Sequence, residues 1–243
     1  MLHAMVSRID IAMTPDEAAR MPPADAYVVI DTLRATTVMA VLFHRGLRQL
    51  RTVADIRSAL APATAGALLF GEEHGVRPEG FDYGNSPVEA AGLELTGRHA
   101  VHYTTNGTLA MCSAASKGPT FAGSLVNLSA VVEAVSSFGR VMLVCAGNGR
   151  GQHFSLEDFA VAAAVAQRLR GHYPAAEAGD AALLALQLKA PIELVSQSDH
   201  ASITRKLGFE ADIDYACRVD AAPSVPFVTA YGDGWAILEN HLS

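Results

Sequence analysis

The sequence predicts a layered α/β protein with a largely parallel sheet, and three observations carry that expectation. Short apolar runs of strand length alternate with longer stretches whose apolar residues recur at helical spacing. Half of the 243 residues are apolar, enough to fill a sizeable core without disulfides or structural metal. Polar, glycine-rich segments follow the apolar runs, as they do where parallel strands end and ligand-binding loops begin.

The elements follow in chain order. Four strands are read at AYVVI (26–30), ALLFG (67–71), HAVHYT (99–104) and VMLVCAG (141–147). TTVMAVLFHRG (36–46) reads as the helix after the first strand. A longer helix follows Ser155, where an N-cap serine, early Glu157 and Asp158, late Arg168 and Arg170, and a closing Gly171 all agree with helix polarity. PAAEAGDAALLALQLKAP, between Pro174 and Pro191, reads as one further helix. The segment SQSDHASITRKLGFEADIDYACRVD is less periodic, and VPFVTAYGDGWAIL reads as one or two closing strands. No repeat, low-complexity tract or linker forces a boundary, so residues 1–243 read as a single domain.

Composition narrows the function. Lysine and arginine total 18 against 25 acidic residues, a formal charge of −7 that argues against a nucleic-acid or anionic-membrane surface. Any anionic ligand must then be held by local donors. Cys112, Cys145 and Cys217 form no CxxC pair or disulfide framework, which favours a reducing, cytoplasmic setting. The start, MLHAMVSRID, lacks the pattern of a signal peptide, and no run of about 18 apolar residues follows. The expectation is a soluble protein with no nucleic-acid or membrane partner.

The polar clusters carry the chemistry. In DTLRATT, Asp31 suits a metal ligand, an orienting acceptor or a nucleophile; Arg34 offers a planar fork of donors for phosphate, sulfonate or carboxylate. Thr36 and Thr37 suit a helix cap whose free N–H groups attract anions. Taken alone, this segment fits a simple capped helix as well as an anion site. TTNGT (Thr104, Thr105, Asn106, Gly107, Thr108) offers hydroxyls and an amide beside a glycine that lets backbone turn around an oxyanion, or an ordinary Asn-Gly turn. The fourth loop adds Asn148, Arg150, Ser155, Glu157 and Asp158. The second adds Glu72 and Glu73, with Asp82 and Asn85 farther on; with Asp31 these hard oxygen ligands suit Mg2+, to which His74 and His153 are possible additions.

Familiar alternatives fail. There is no GxxxxGK[ST], no GxSxG and no Cys/His zinc pattern. Leu33 stands where haloacid-type phosphatases need a second aspartate, and four residues rather than five separate Cys145 from Arg150, so Cys145 reads as a buried small hydrophobe.

In order, VVIDTLRATT, GEEHGVRPEGFDYGNSP, TTNGT, GSLVNLSAV and CAGNGRGQHFSLED resemble the 2-phosphosulfolactate phosphatase (ComB) family, with a weaker echo in DIDYACRVD. The resemblance spans about residues 27 to 228. It implies a three-layer α/β/α fold, Mg2+ dependence and hydrolysis of 2-phosphosulfolactate to sulfolactate and phosphate, with a homodimer as the family's assembly and coenzyme M biosynthesis as its pathway. It also implies catalytic roles for Asp31, Arg34, Glu72 and Asp158 and metal binding by Asp31, Glu72, Glu157 and Asp158. Substrate contacts are implied for Arg34, Thr36, Thr37, Thr104 to Thr108, Asn148 and Arg150. Glu73 stands where the family pattern carries an arginine, which leaves open another small phospho-2-hydroxy acid as substrate. A non-catalytic binder of phosphorylated or sulfonated acids is the competing class.

Overall fold

A computed structural model describes residues 5–61, 64 and 66–241. Ten strands form one mixed, mostly parallel sheet with helices on both faces, among the described residues. In chain order the strands are β1 (Arg8–Ala12), β2 (Ala26–Ile30), β3 (Gln49–Val53), β4 (Leu68–Gly71), β5 (His99–Tyr103), β6 (Thr120–Gly123), β7 (Arg140–Cys145), β8 (Glu177–Ala178), β9 (Pro226–Gly232) and β10 (Trp235–Asn240). The helices are α1 (Pro15–Arg20), α2 (Ala35–His44), α3 (Ile56–Ala59), α4 (Pro87–Ala91), α5 (Gly107–Ala115), α6 (Leu128–Ala134), α7 (Leu156–His172), α8 (Asp180–Ala185), α9 (Pro191–Gln197), α10 (Asp199–Lys206) and α11 (Glu210–Ala216).

The central strands are uninterrupted apolar runs because both faces are covered. Along β2, Val28 and Ile30 pack into the cluster shared with α6 and α7, while Tyr27 and Val29 pack into the one shared with α2 and α5. β7 repeats this alternation: Val141, Leu143 and Cys145 on one face, Met142 and Val144 on the other. Helix α2 is buried from Ala35 through Phe43, so it is apolar all round rather than striped.

Strand order is β4-β5-β3-β10-β9-β6-β2-β7-β1-β8. β4, β5 and β3 are mutually parallel, as are β6, β2, β7, β1 and β8. Between these groups lies the β9–β10 hairpin, antiparallel to β6 on one side and to β3 on the other. Three successive reversals make the two parallel groups run in opposite directions. Neighbouring strands rotate by roughly 20–25° each, so the five steps from β5 to β2 accumulate more than about 100° of twist. That rotation is what allows loops after β4 and β5 to meet loops after β2 and β7, although the strands themselves are opposed.

The four strands read from sequence are β2, β4, β5 and β7. β1, β3 and β6 escape that reading for physical reasons. β1 carries Asp10, buried because its Oδ2 accepts from Arg8 Nε at 3.0 Å and Arg140 Nε at 2.8 Å; β3 is interrupted by Arg51, and β6 is only four residues long. Helix α7 starts at the Ser155 cap, which accepts from the Asp158 amide. The single helix read between Pro174 and Pro191 is instead β8 followed by α8. Gly179 divides them: a Cβ there would lie 2.5 Å from Asp10 Oδ1, so the chain passes Asp10 too closely to stay helical. The weakly periodic stretch after Pro191 forms α9, α10 and α11, each of eight residues or fewer.

Candidate functional site

Asp31 sits one residue beyond β2, at the junction with α2. Its local frame is set by the threonines that follow: Thr36 Oγ1 accepts from the Asp31 amide and donates to the Asp31 carbonyl, and Thr37 Oγ1 donates to the Thr32 carbonyl. These hydroxyls fasten the turn rather than facing a ligand. Asp31 Oδ1 accepts from the Ala35 amide at 3.2 Å, in the first turn of α2. Its Oδ2 lies against Gly107 at the start of α5, where an added Cβ would come within 2.5 Å of it and within 2.6 Å of Ala35 Cβ. Gly107 therefore contributes by having no side chain. Gly107→Ala should displace Asp31 and lower kcat/KM about 100-fold, the usual result of an ångström-scale misplacement; wild-type kinetics in that variant would show that Asp31 tolerates the intrusion.

Around Asp31 opens a cavity of about 770 Å3. Its walls include Asp31 and Arg34 after β2, Glu72, Glu73, His74 and Asn85 after β4, Tyr103, Thr105 and Asn106 at the end of β5, Asn148 and Arg150 after β7, and His200, Ile203, Thr204 and Leu207 from α10. All four polar loops singled out in the sequence thus meet in one place. Glu72 is fixed by three donors: its Oε1 accepts from the Thr105 amide at 2.6 Å, and its Oε2 from the Gly75 amide at 2.7 Å and from Thr105 Oγ1 at 3.3 Å. Thr104 and Thr108 bond to each other's backbone and side chain within the turn. Asn106 Oδ1 accepts from the Arg150 amide at 2.8 Å, joining the β5 and β7 loops. That second loop turns sharply at Gly147, whose φ of 71° and approach to the His153 carbonyl leave no room for a Cβ.

Asp158 has a different environment. Its Oδ1 accepts from the Thr32 amide at 2.9 Å and its Oδ2 from the Gly147 amide at 3.1 Å, so one buried carboxylate ties the β2 loop to the β7 loop. Arg34 is likewise engaged. Nη1 donates to Asp212 Oδ2 at 2.6 Å, Nη2 donates to the Gly75 carbonyl at 2.8 Å, and the guanidinium stacks over Phe209 at 4.3 Å. Ser86, which caps α4, donates to the other Asp212 oxygen. The donor fork that the sequence suggested for an anion is thus directed at protein groups, although Arg34 still borders the cavity.

The electrostatics centre on Asp31. Burial raises its pKa to about 6; nearby Glu72 and Glu157 push the same way, against His200 and the Ala35 amide. Burial also holds Asp158 well above the ordinary carboxylate range, reinforced by Asp31 and Glu157. His200 was not singled out by sequence reasoning, because α10 has no strong apolar pattern and sits far along the chain. Its Nδ1 lies 2.9 Å from Asn148 Oδ1 and 3.3 Å from Glu157 Oε1. Both neighbours are acceptors, so Nδ1 carries a proton. Burial alone would lower the His200 pKa, but the hydrogen bond and charge of Glu157, with Asp31 and Glu72 behind it, raise it above 6.5. Conversely, burial pushes Glu157 up, and His200 outweighs it to hold Glu157 below 4.5.

Among the described residues, no group of three or more His, Cys, Asp or Glu side chains forms a ready-made metal cage. Magnesium does not require one, since it takes one or two carboxylates and completes its shell with water and substrate oxygens. Asp31 Oδ2 is a carboxylate oxygen without a protein donor, held near two further acids, which fits such a cation. Cys145 is fully buried and its thiol is pushed up by that burial, which accords with packing rather than nucleophilic chemistry.

Residues 12–230 match the profile of the 2-phosphosulpholactate phosphatase family. The chain belongs to that family. A relative from Thermotoga petrophila is 37% identical over 224 residues, covering 90% of this chain and 94% of the relative. One from Carboxydothermus hydrogenoformans is 34% identical, covering 90% and 92%, and one from Thermus thermophilus is 34% identical, covering 90% and 93%. Each of these is named a probable 2-phosphosulfolactate phosphatase. As a member of the 2-phosphosulpholactate phosphatase family the chain is a phosphoric monoester hydrolase, which decides between the enzymatic and the purely binding readings of the loops. The described residues include no helix long and apolar enough to cross a membrane.

Proposed function

We propose that this chain is a Mg2+-dependent phosphatase that hydrolyses 2-phosphosulfolactate to sulfolactate and phosphate. The observation that carries this reading is the convergence of Asp31, Glu72 and the Glu157–His200 pair around one cavity, beside loops rich in amide and hydroxyl donors. Asp31, through Oδ2, and Glu72 are the carboxylates that would hold Mg2+. When bound, the ion would neutralise part of the phosphoryl charge, which a site lined by Asp31, Glu72 and Glu73 cannot do by itself.

The protein's own groups account for the rest. Asp31 orients the attacking water, and the Thr105, Asn106 and Arg150 side of the cavity receives phosphoryl oxygens. His200 has its Nδ1 proton committed to Glu157 and Asn148, leaving Nε2 as the end able to give a proton to the departing alkoxide. Asp158 and Arg34 act at one remove, holding the loops that present these groups.

A second substrate reading is favoured by one feature: Glu73 lines the cavity and adds negative charge where a substrate carrying phosphate, sulfonate and carboxylate would sit. A less charged phospho-2-hydroxy acid, such as phospholactate or phosphoglycolate, suffers less repulsion there. Phosphate release should be measured from 2-phosphosulfolactate, phospholactate and phosphoglycolate, each with Mg2+ and with a chelator. The expected result is the highest kcat/KM on 2-phosphosulfolactate and loss of turnover on chelation. A clear preference for phospholactate or phosphoglycolate would transfer the assignment to the second reading, and undiminished turnover in chelator would remove the metal.

A further inference from the structure

Two buried residues stand outside everything assigned so far. His102, in β5, is completely enclosed, and its Nε2 lies 2.9 Å from Asn85 Oδ1. Its other ring nitrogen, Nδ1, is buried with no hydrogen-bond partner. Burial lowers the pKa of His102 to about 3, so the ring is neutral and one nitrogen alone carries hydrogen. A proton on Nδ1 would be a buried donor without an acceptor, whereas a proton on Nε2 points directly at an amide oxygen. The neutral tautomer is therefore Nε2–H, and it fixes which way the Asn85 carboxamide faces.

The consequence lies at the other end of that carboxamide. Asn85 is only 3% exposed, yet it lines the cavity around Asp31. With Oδ1 turned to His102, Nδ2 is the remaining polar atom; it has no protein partner and is not among the sealed, unpartnered atoms. It opens on the cavity. The neighbouring backbone is anchored too, because Ser86 caps α4 and bonds to Asp212. Donors are scarce here: Arg34 is engaged by Asp212 and Gly75, and the acids Asp31, Glu72 and Glu73 face the same space.

We propose that Asn85 is a substrate-binding residue whose NH2 group donates to an oxyanion of the substrate, and that His102 is the positioning residue that locks the carboxamide in that orientation. A neutral amide brings donors to a crowded acidic cavity without burying another charge. Asn85 cannot also offer Oδ1 to a metal, since that oxygen is committed to His102. This inference relies on the phosphatase reading only for the name of the anion.

The test is direct binding by calorimetry, with inorganic phosphate and with sulfolactate as separate probes, alongside steady-state kinetics. Asn85→Leu and Asn85→Asp should weaken binding of at least one probe by about 10- to 100-fold, the loss expected for a hydrogen bond to a charged acceptor. The probe affected identifies the substrate group that Asn85 holds. Turnover should fall mainly through KM, with a Tm close to wild type. His102→Leu should reproduce the binding loss, and His102→Gln, which retains an amide donor, should recover most of it. Should His102→Leu fail to fold, the Asn85 variants and His102→Gln still decide. Binding of both probes within threefold of wild type in Asn85→Leu and Asn85→Asp would overturn the proposal. If the wild-type protein binds these anions through Asn85 but hydrolyses no phosphomonoester, the phosphatase reading fails while the Asn85 assignment stands.

Discussion

Asp31→Asn is expected to lower kcat at least about 1,000-fold and, in chelator, to make the protein more stable. The first effect follows from the loss of the negative oxygen at the centre of the cavity, within the range seen for removal of a positioned acid–base group. The second follows from linkage. In the folded chain burial holds the Asp31 pKa at about 6, above its ordinary 3.8. The folded state thus prefers the protonated acid. Stability from this group is fully present below pH 3.8 and is lost as pH rises through 6, a difference of about 3 kcal/mol by pH 8. An asparagine carries no charge to lose, so at pH 8 the variant should melt several degrees higher, at about 2–4 °C per kcal/mol for a chain of this size. Added Mg2+ should raise the Tm of the wild type and not that of the variant. Thermal melts at pH 5 and pH 8, with and without metal, check all of this; a variant that melts lower than wild type at pH 8 in chelator would refute the account.

Asp212→Ala should be among the most damaging substitutions outside the reacting groups. It would leave the Arg34 guanidinium buried without its carboxylate and remove the acceptor of Ser86. Breaking a buried pair from one side costs about 3–5 kcal/mol, which corresponds to a Tm loss on the order of 10 °C. Arg34→Ala should be comparable, since it strands Asp212 and the Gly75 carbonyl. Replacing both partners with apolar residues should restore part of the stability, because no isolated charge then remains. Denaturant melts of the two single variants and the double variant measure this coupling. A stable Arg34→Ala enzyme with only a raised KM would instead show Arg34 to be the free anion-binding group that its sequence context suggested.

That contrast shows how far the sequence could be read. Asp31, Glu72, Thr105, Asn106, Asn148 and Arg150 were identifiable because each follows an apolar run, and all of them line the cavity. Fold class was legible for the same reason: strands covered on both faces must be apolar throughout. Side-chain partners were not legible. Nothing in DTLRATT says that Arg34 will find Asp212, 178 positions later, or that Thr36 and Thr37 will turn back on their own loop. His200 and Asn85 were obscured differently. The first lies in a short helix with weak patterning, and the second acts through a buried histidine that looks, in sequence, like any residue of a strand.

The β9–β10 hairpin also has a consequence for the order of events during synthesis. It is the central seam of the sheet, and residues 226–240 emerge from the ribosome after Asp31, Glu72, Thr105, Arg150 and His200 have all been made. Until then, the two strand groups lack the segment that joins them, and the apolar helix α2 has no complete enclosure. A nascent chain therefore holds all of these groups without a formed cavity, its contacts being of high sequence separation and its strand edges open to aggregation or chaperones.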